Sequence, residues 1–170
     1  MESCRAEYKW TADQLLDATW SHAKNSSFRL FQWMFIAVGI LSGLFGLAFW
    51  YTELKGLSFP LILLSLYTIF LRRNIQNWQI RRQFKNRKDQ GITISFNFSE
   101  EEVAIESAQS KGSFGWENYP SATQGKKGVV LYQDTERYHW IPASGFKSTE
   151  DYETFLELAK RKINSFKVGH

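Results

Sequence analysis

Three groups of residues in this sequence have the chemistry to act on another molecule: a histidine among aromatics, two glycine-bracketed tetrapeptides and a run of cations. His139 and Trp140 are adjacent on a predicted strand, and Trp116 lies on an earlier one. Together they form a candidate groove, because aromatic faces give large apolar area with a polar handle. The same three residues also read as cross-strand packing, which is a common use of aromatics in sheets. The chain holds one cysteine, Cys4, and three histidines, and His139 has no cysteine or paired carboxylate at ligand spacing. That leaves no zinc set and no disulfide framework. Gly112-Ser113-Phe114-Gly115 lacks the G-x-S-x-G spacing of a nucleophile elbow. Gly125-Lys126-Lys127-Gly128 lacks the GK[ST] ending and helical setting of a phosphate loop, so it reads as a hairpin turn. No nucleophile–base pair appears. The expectation is therefore no catalytic residue, no metal, no cofactor and no enzymatic activity.

The cations are concentrated. Arg72, Arg73, Arg81, Arg82, Lys85, Arg87 and Lys88 fall within residues 72–88, which contain no acidic group. Residues 1–29 are net neutral, and residues 89–170 carry 9 basic against 12 acidic groups. The overall +4 is thus a local feature. This argues against a nucleic-acid partner, which would need a basic folded surface. It suits contact with anionic lipid headgroups, at about 1 kcal/mol for each charge near the surface. The bland version is a topology signal with no specific ligand.

Apolar residues decide what lies beside that run. Leu30 to Tyr51 is 22 residues long and uncharged, with Trp33 near one end and Trp50-Tyr51 at the other. A bilayer core needs about 20 apolar residues, flanked by interfacial aromatics. The second stretch, Leu57 to Leu71, is shorter, and Pro60 sits in its first turn where a missing N–H is tolerated. A signal peptide is disfavoured, because the first stretch is long, starts late and has no small-residue cleavage pattern. The connection between the stretches is very short, so the two form a transmembrane hairpin with both chain ends on one side. The positive-inside rule places that side in the cytoplasm. Gly39, Ser42, Gly43 and Gly46 give a small-xxx-small pattern suited to packing the two helices together, with self-association as the alternative. No Asp, Glu, Lys, Arg or His lies in either stretch, which disfavours a transporter or channel.

The elements outside the hairpin must position everything else. Residues 1–29 give a short strand around Tyr8 and Trp10, then a helix opened by Thr11 and Gln14 as a capping box. Asn25-Ser26-Ser27 ends that helix. From residue 91 the period becomes two. Ile92, Ile94, Phe96 and Phe98 mark one strand, Val103 to Ala108 a second, Lys111 to Glu117 a third, Gly128 to Gln133 a fourth and Arg137 to Ile141 a fifth. Asp134-Thr135-Glu136 joins the last two, and Pro142 stops the fifth. Ser148 and Asp151 start a helix whose apolar stripe runs from Tyr152 to Phe166. The expected fold is an α+β membrane protein. It has an N-terminal strand and helix (1–29), a hairpin (30–71, with helices 30–51 and 57–71), a basic juxtamembrane connector (72–88) and a small antiparallel domain capped by a helix (89–170).

Phe96-x-Phe98, Gly112-Ser113-Phe114-Gly115-Trp116, Val130-Leu131-Tyr132, Trp140-Ile141-Pro142 and Phe146-x-Ser148-x-x-Asp151-Tyr152-x-x-Phe155 resemble the C-terminal domain of the YcxB-like family. The resemblance covers residues 91–165. It implies a bacterial inner-membrane protein whose two-span hairpin carries a cytoplasmic, strand-rich domain similar to pleckstrin-homology-like half-barrels. It implies no activity and no site residues. The functional expectation is a membrane-anchored module whose cytoplasmic domain binds a protein partner. An immunity protein that neutralises a toxin is the alternative, and an enzyme of unknown type the third reading. Glu100-Glu101-Glu102 opposes an inositol-phosphate ligand at that loop by repulsion.

Overall fold

The computed structural model describes residues 3–25, 28–135 and 137–169. Ser26, Ser27, Glu136 and His170, which the sequence places in a helix break, a turn and the terminus, lie outside them. The chain divides into two compact units: Ser26–Phe84, and a second made of Met1–Asn25 with Lys85–His170.

Apart from the bend at residues 51–54, the described residues of the first unit are helical. It comprises α2 (Phe28–Trp50), α3 (Lys55–Leu66), a π-helical turn (Tyr67–Leu71) and α4 (Arg72–Phe84). The helix of the second apolar stretch does not end at Leu71: it runs on to Phe84 through the first 13 residues of the basic connector. Residues 72–88 hold no glycine or proline to end it, and Arg, Gln and Ile are adequate helix formers. Pro60 is tolerated on the second turn of α3. At the bend, Thr52 Oγ1 accepts from the Leu54 N–H at 3.2 Å, which ties the turn between α2 and α3.

Among the described residues the second unit has eight strands and two α-helices. β1 (Cys4–Lys9) and α1 (Ala12–Asn25) come from the N-terminus; β2 (Thr93–Phe98), β3 (Glu102–Ser107), β4 (Lys111–Gly115), β5 (Ser121–Gly125), β6 (Gly128–Tyr132), β7 (Tyr138–Pro142), α5 (Thr149–Lys162) and β8 (Ser165–Val168) follow the hairpin. One sheet has the order β1-β2-β3-β4, all antiparallel; the other has the order β7-β6-β5-β8, with β5 and β8 parallel. The expected five-stranded meander is thus two sheets. Phe166 leaves the predicted helical stripe for β8, because α5 ends at Lys162 and Ile163 turns extended (φ −101°, ψ 123°).

Register explains the core. Cys4 faces Phe98, Ala6 faces Phe96, and Phe98 faces Val103 across the first sheet, so alternate residues of three strands share one buried face. In the second sheet Leu131 faces His139, and Val129 faces Ile141. That face meets the first sheet: the His139 ring lies 5.9 Å from Phe96 and 6.0 Å from Phe114. The opposite face carries Tyr132, Tyr138 and Trp140 and meets α1, so α5 is not the sheet's single cover. His22 of α1 stacks on Tyr138 at 4.9 Å. α5 places Phe155 against Phe98 at 4.4 Å and Phe146 at 5.2 Å. The Tyr8 hydroxyl donating to the Trp140 carbonyl at 2.6 Å joins β1 to β7 at one corner of the two sheets, and a bridge between Ala6 and Phe146 ties β1 to the segment after β7. Burial pushes the Tyr8 ionisation well above the usual phenol range.

Candidate functional site

The hairpin is the first candidate, and its inner surface is built from small residues. A β-carbon added at Gly39 would sit 2.5 Å from Thr68 Oγ1, and one at Gly43 would sit 2.8 Å from Ser65 Oγ. One at Gly46 would sit 2.9 Å from Ile62 and 3.1 Å from the Ser58 carbonyl. Ser42 is buried and donates to the Gly39 carbonyl at 3.0 Å. The stripe therefore serves contact within one chain, and α3 occupies it. Thr68 shares its one hydroxyl hydrogen between the carbonyls of Leu64 (2.9 Å) and Ser65 (3.1 Å), at the end of α3. The facing half of this seam, Ser58, Ser65 and Thr68, went unread in the sequence. Its signal is there: Ser58 and Ser65 are seven apart on a helix, hence on one face.

Large apolar side chains point the other way. Leu44 is 59% exposed, Leu47 59%, Phe59 66% and Phe70 65%. Two helices, Gln32–Trp50 (19 residues) and Lys55–Phe84 (30 residues), are long and apolar enough to cross a membrane. The seven cations do not form one cluster. Arg72 sets its guanidinium 3.6 Å from the Phe35 ring centroid, and Arg82 sits 5.3 Å from the Trp78 ring. Arg87 is paired with Asp89 at 2.8 and 2.6 Å, and that hydrogen bond holds the Asp89 carboxyl below the usual carboxylate range. Arg73, Arg81, Lys85 and Lys88 are exposed.

The aromatic trio is the second candidate. Trp116 lies on a 3₁₀ turn (Trp116–Asn118) after β4 rather than on a strand, because its Nε1–H reaches back to the Ser99 carbonyl at 2.8 Å. Trp140 is buried and donates its Nε1–H to Gln14 Oε1 at 2.7 Å. His139, the next residue, faces the other side of the sheet. Its Nδ1 shares one hydrogen with the Tyr119 hydroxyl at 2.8 Å. Burial lowers the His139 imidazole below its ordinary value near 6.5 and raises the Tyr119 phenol. The three residues thus point into different parts of the core and line no shared groove. Tyr119 was missed because it stands between the turn residue Asn118 and Pro120, outside any alternating run.

A cavity of about 270 Å³ opens between α1 and the β6–β7 end, lined by Gln14, Asp17, Lys127, Pro142, Ala143 and Ser144. Lys127 pairs with Asp17 there at 2.9 Å. Gly125 and Gly128 close the β5–β6 hairpin, as the sequence suggests for that tetrapeptide. Glu100 pairs with Lys162 at 2.9 Å and with Arg161, both in the last turn of α5. The hydrogen bond from Lys162 leads the effects that hold its carboxyl below the usual range. Among the described residues no group of three His, Cys, Asp or Glu side chains could hold a metal ion.

Fold and site define an α+β protein with two membrane-length helices and a separate sheet-rich unit. A family model, YcxB-like protein, matches residues 98–159, from the last residue of β2 to near the end of α5. Most of the motifs quoted above fall in that stretch, which is similar to the family. No curated protein matches the chain, and no solved structure matches it.

Proposed function

We propose that this protein is a membrane-anchored, non-enzymatic module whose sheet-rich unit binds a protein partner. The hairpin lodges in a bacterial plasma membrane with both chain ends on the cytoplasmic side. The observation that carries this reading is the inverted hairpin: small residues face inward and large apolar ones face out. In water such a surface costs roughly 25 cal/mol per Å² of apolar area left exposed, whereas lipid tails accept it. Arg72, Arg73, Arg81 and Arg82, on a helix without acids, suit the anionic cytoplasmic leaflet.

The sheet-rich unit is read as a pleckstrin-homology-like half-barrel. Two four-stranded sheets joined at a corner and a C-terminal helix packed on Phe98 support that reading. The parallel β5–β8 pair is an addition to a plain antiparallel barrel. Binding of a protein is favoured over chemistry because His139 is engaged with Tyr119 inside the core.

Two measurements test the proposal. Carbonate washing of membranes should leave the full chain in the pellet, and release of the intact chain would end the membrane reading. A photo-crosslinking amino acid at Phe114, which is 36% exposed on edge strand β4, should capture one recurrent protein in intact cells. A ladder no different from that of a label at Lys126 would remove the partner reading.

A further inference from the structure

The two rods of the hairpin lose their apolar surface at different levels, and the contacts between them fix the offset. Arg72 lies against Phe35, so the start of α4 is level with that residue of α2. Gly39 against Thr68, Gly43 against Ser65 and Gly46 against Ile62 continue the same antiparallel register toward the bend. Beyond Phe35, α2 stays uncharged to Leu30 with one amide, Gln32, on the way: Met34, Trp33 and Leu30 are 52%, 62% and 68% exposed. Residues 30–34 rise about 7 Å. Over the same rise α4 presents Arg72, then exposed Arg73 and Asn74. From Gly56 to Leu71 the short rod offers about 24 Å of apolar length, while Leu30 to Trp50 offers about 30 Å. A typical hydrocarbon core is about 30 Å thick. The long rod matches it and the short rod falls about 6 Å short.

The rods cannot slide to cancel the offset, because each step would drive a side chain into a glycine of the seam. Drawing Arg72 and Arg73 into hydrocarbon is costly. Moving the bilayer surface to them costs only fractions of a kcal/mol per Å. Resting on the membrane reading above, we propose that the hairpin is an interaction surface for thin bilayers. It gathers short-chain lipid on the α3–α4 side, with lipid phosphates at Arg72 and Arg73. The Phe35–Arg72 contact pins the level at which those phosphates meet the protein.

The test synthesises the full chain without cells in the presence of two vesicle populations at once. One is dimyristoleoyl and the other dierucoyl phosphatidylcholine, each with the same share of phosphatidylglycerol, and one is weighted with sucrose for separation. Carbonate-resistant protein should favour the thin vesicles about fivefold. Inserting four leucines between Leu71 and Arg72, or making Arg72→Leu with Arg73→Leu, should erase that preference. An even split or a bias toward the thick vesicles overturns the thickness proposal while leaving the membrane reading intact. So does a preference that persists in both variants. Carbonate-resistant protein in neither population removes both.

Discussion

The two units of this chain bury surface by opposite rules. In the unit built from Met1–Asn25 and Lys85–His170, large residues go inside: Phe98, Phe155, Leu131 and Ile141 are fully buried. In Ser26–Phe84 the buried side chains of the two rods include Ser42, Ser58 and Thr68, while Leu44, Leu47, Phe59 and Phe70 face out and Phe84, at the far end of α4, is buried. Water penalises exposed hydrocarbon, so the sheet unit hides it and packs aromatic rings against one another. In lipid that penalty vanishes, and helices associate by close backbone approach and van der Waals contact, which favours glycine and serine. Ser58 Oγ, buried without a hydrogen-bond partner, is a cost the sheet unit does not show among the described residues.

The contrast breaks most visibly at Phe155. Phe155→Ala removes the ring that touches Phe98 and Phe146 and should cost about 3–5 kcal/mol in the sheet unit. Urea unfolding of the full chain in nanodiscs, followed by near-UV circular dichroism, should show it while helicity of the hairpin persists. Simultaneous loss of both signals would mean that the units are one cooperative structure. Gly46→Leu asks the reverse question. Its side chain would enter the Ile62 and Ser58 backbone, and overpacking of this kind costs about 1–3 kcal/mol. Denaturation by a graded detergent series should register the loss, with the near-UV signal of the sheet unit unchanged. The corresponding outward change, Leu47→Gly, should leave hairpin packing intact.

Tyr119→Phe sharpens the comparison at lower energy. It removes the hydrogen bond to His139 Nδ1, a net loss of about 1 kcal/mol. The pH dependence has a definite sign. The folded imidazole titrates below the unfolded value near 6.5, so below that pH the unfolded chain binds a proton that the folded chain refuses. Stability of the sheet unit should be full above about 6.5 and decline as pH falls through the folded value, and His22 acts in the same direction. Urea midpoints unchanged down to pH 5 would contradict the buried, neutral assignment. The smallest effect belongs to Lys127→Ala, whose exposed bond to Asp17 should be worth less than about 1 kcal/mol and fade with salt. A larger, salt-insensitive loss would show that the α1 cavity is held by more than this pair.

Much of this was legible before any coordinates. The uncharged run from Leu30 and the cations after Leu71 mark the hairpin, because length and charge are properties of the chain alone. Thr11 accepts from the Gln14 N–H at 3.3 Å and Ser148 accepts from the Asp151 N–H at 3.1 Å, as their spacing predicts. Caps act over three residues, so local sequence specifies them. β5 was invisible because Ser121-Ala122-Thr123-Gln124-Gly125 has neither alternation nor bulk. It is a strand because β6 and β8 flank it. β8 was hidden by a helical period that runs on past Lys162, where pairing with β5 outweighs propensity.

The sequence by itself marked the two long apolar segments, the capped starts of α1 and α5 and the buried face of β2, since each depends on residues within a few positions of one another. Tertiary structure alone decided that β1 pairs with β2 across the whole hairpin, that His139 is shared with Tyr119 rather than presented, and that Arg72 stops level with Phe35. Those outcomes join residues tens of positions apart, and no local period or spacing encodes which distant partner wins.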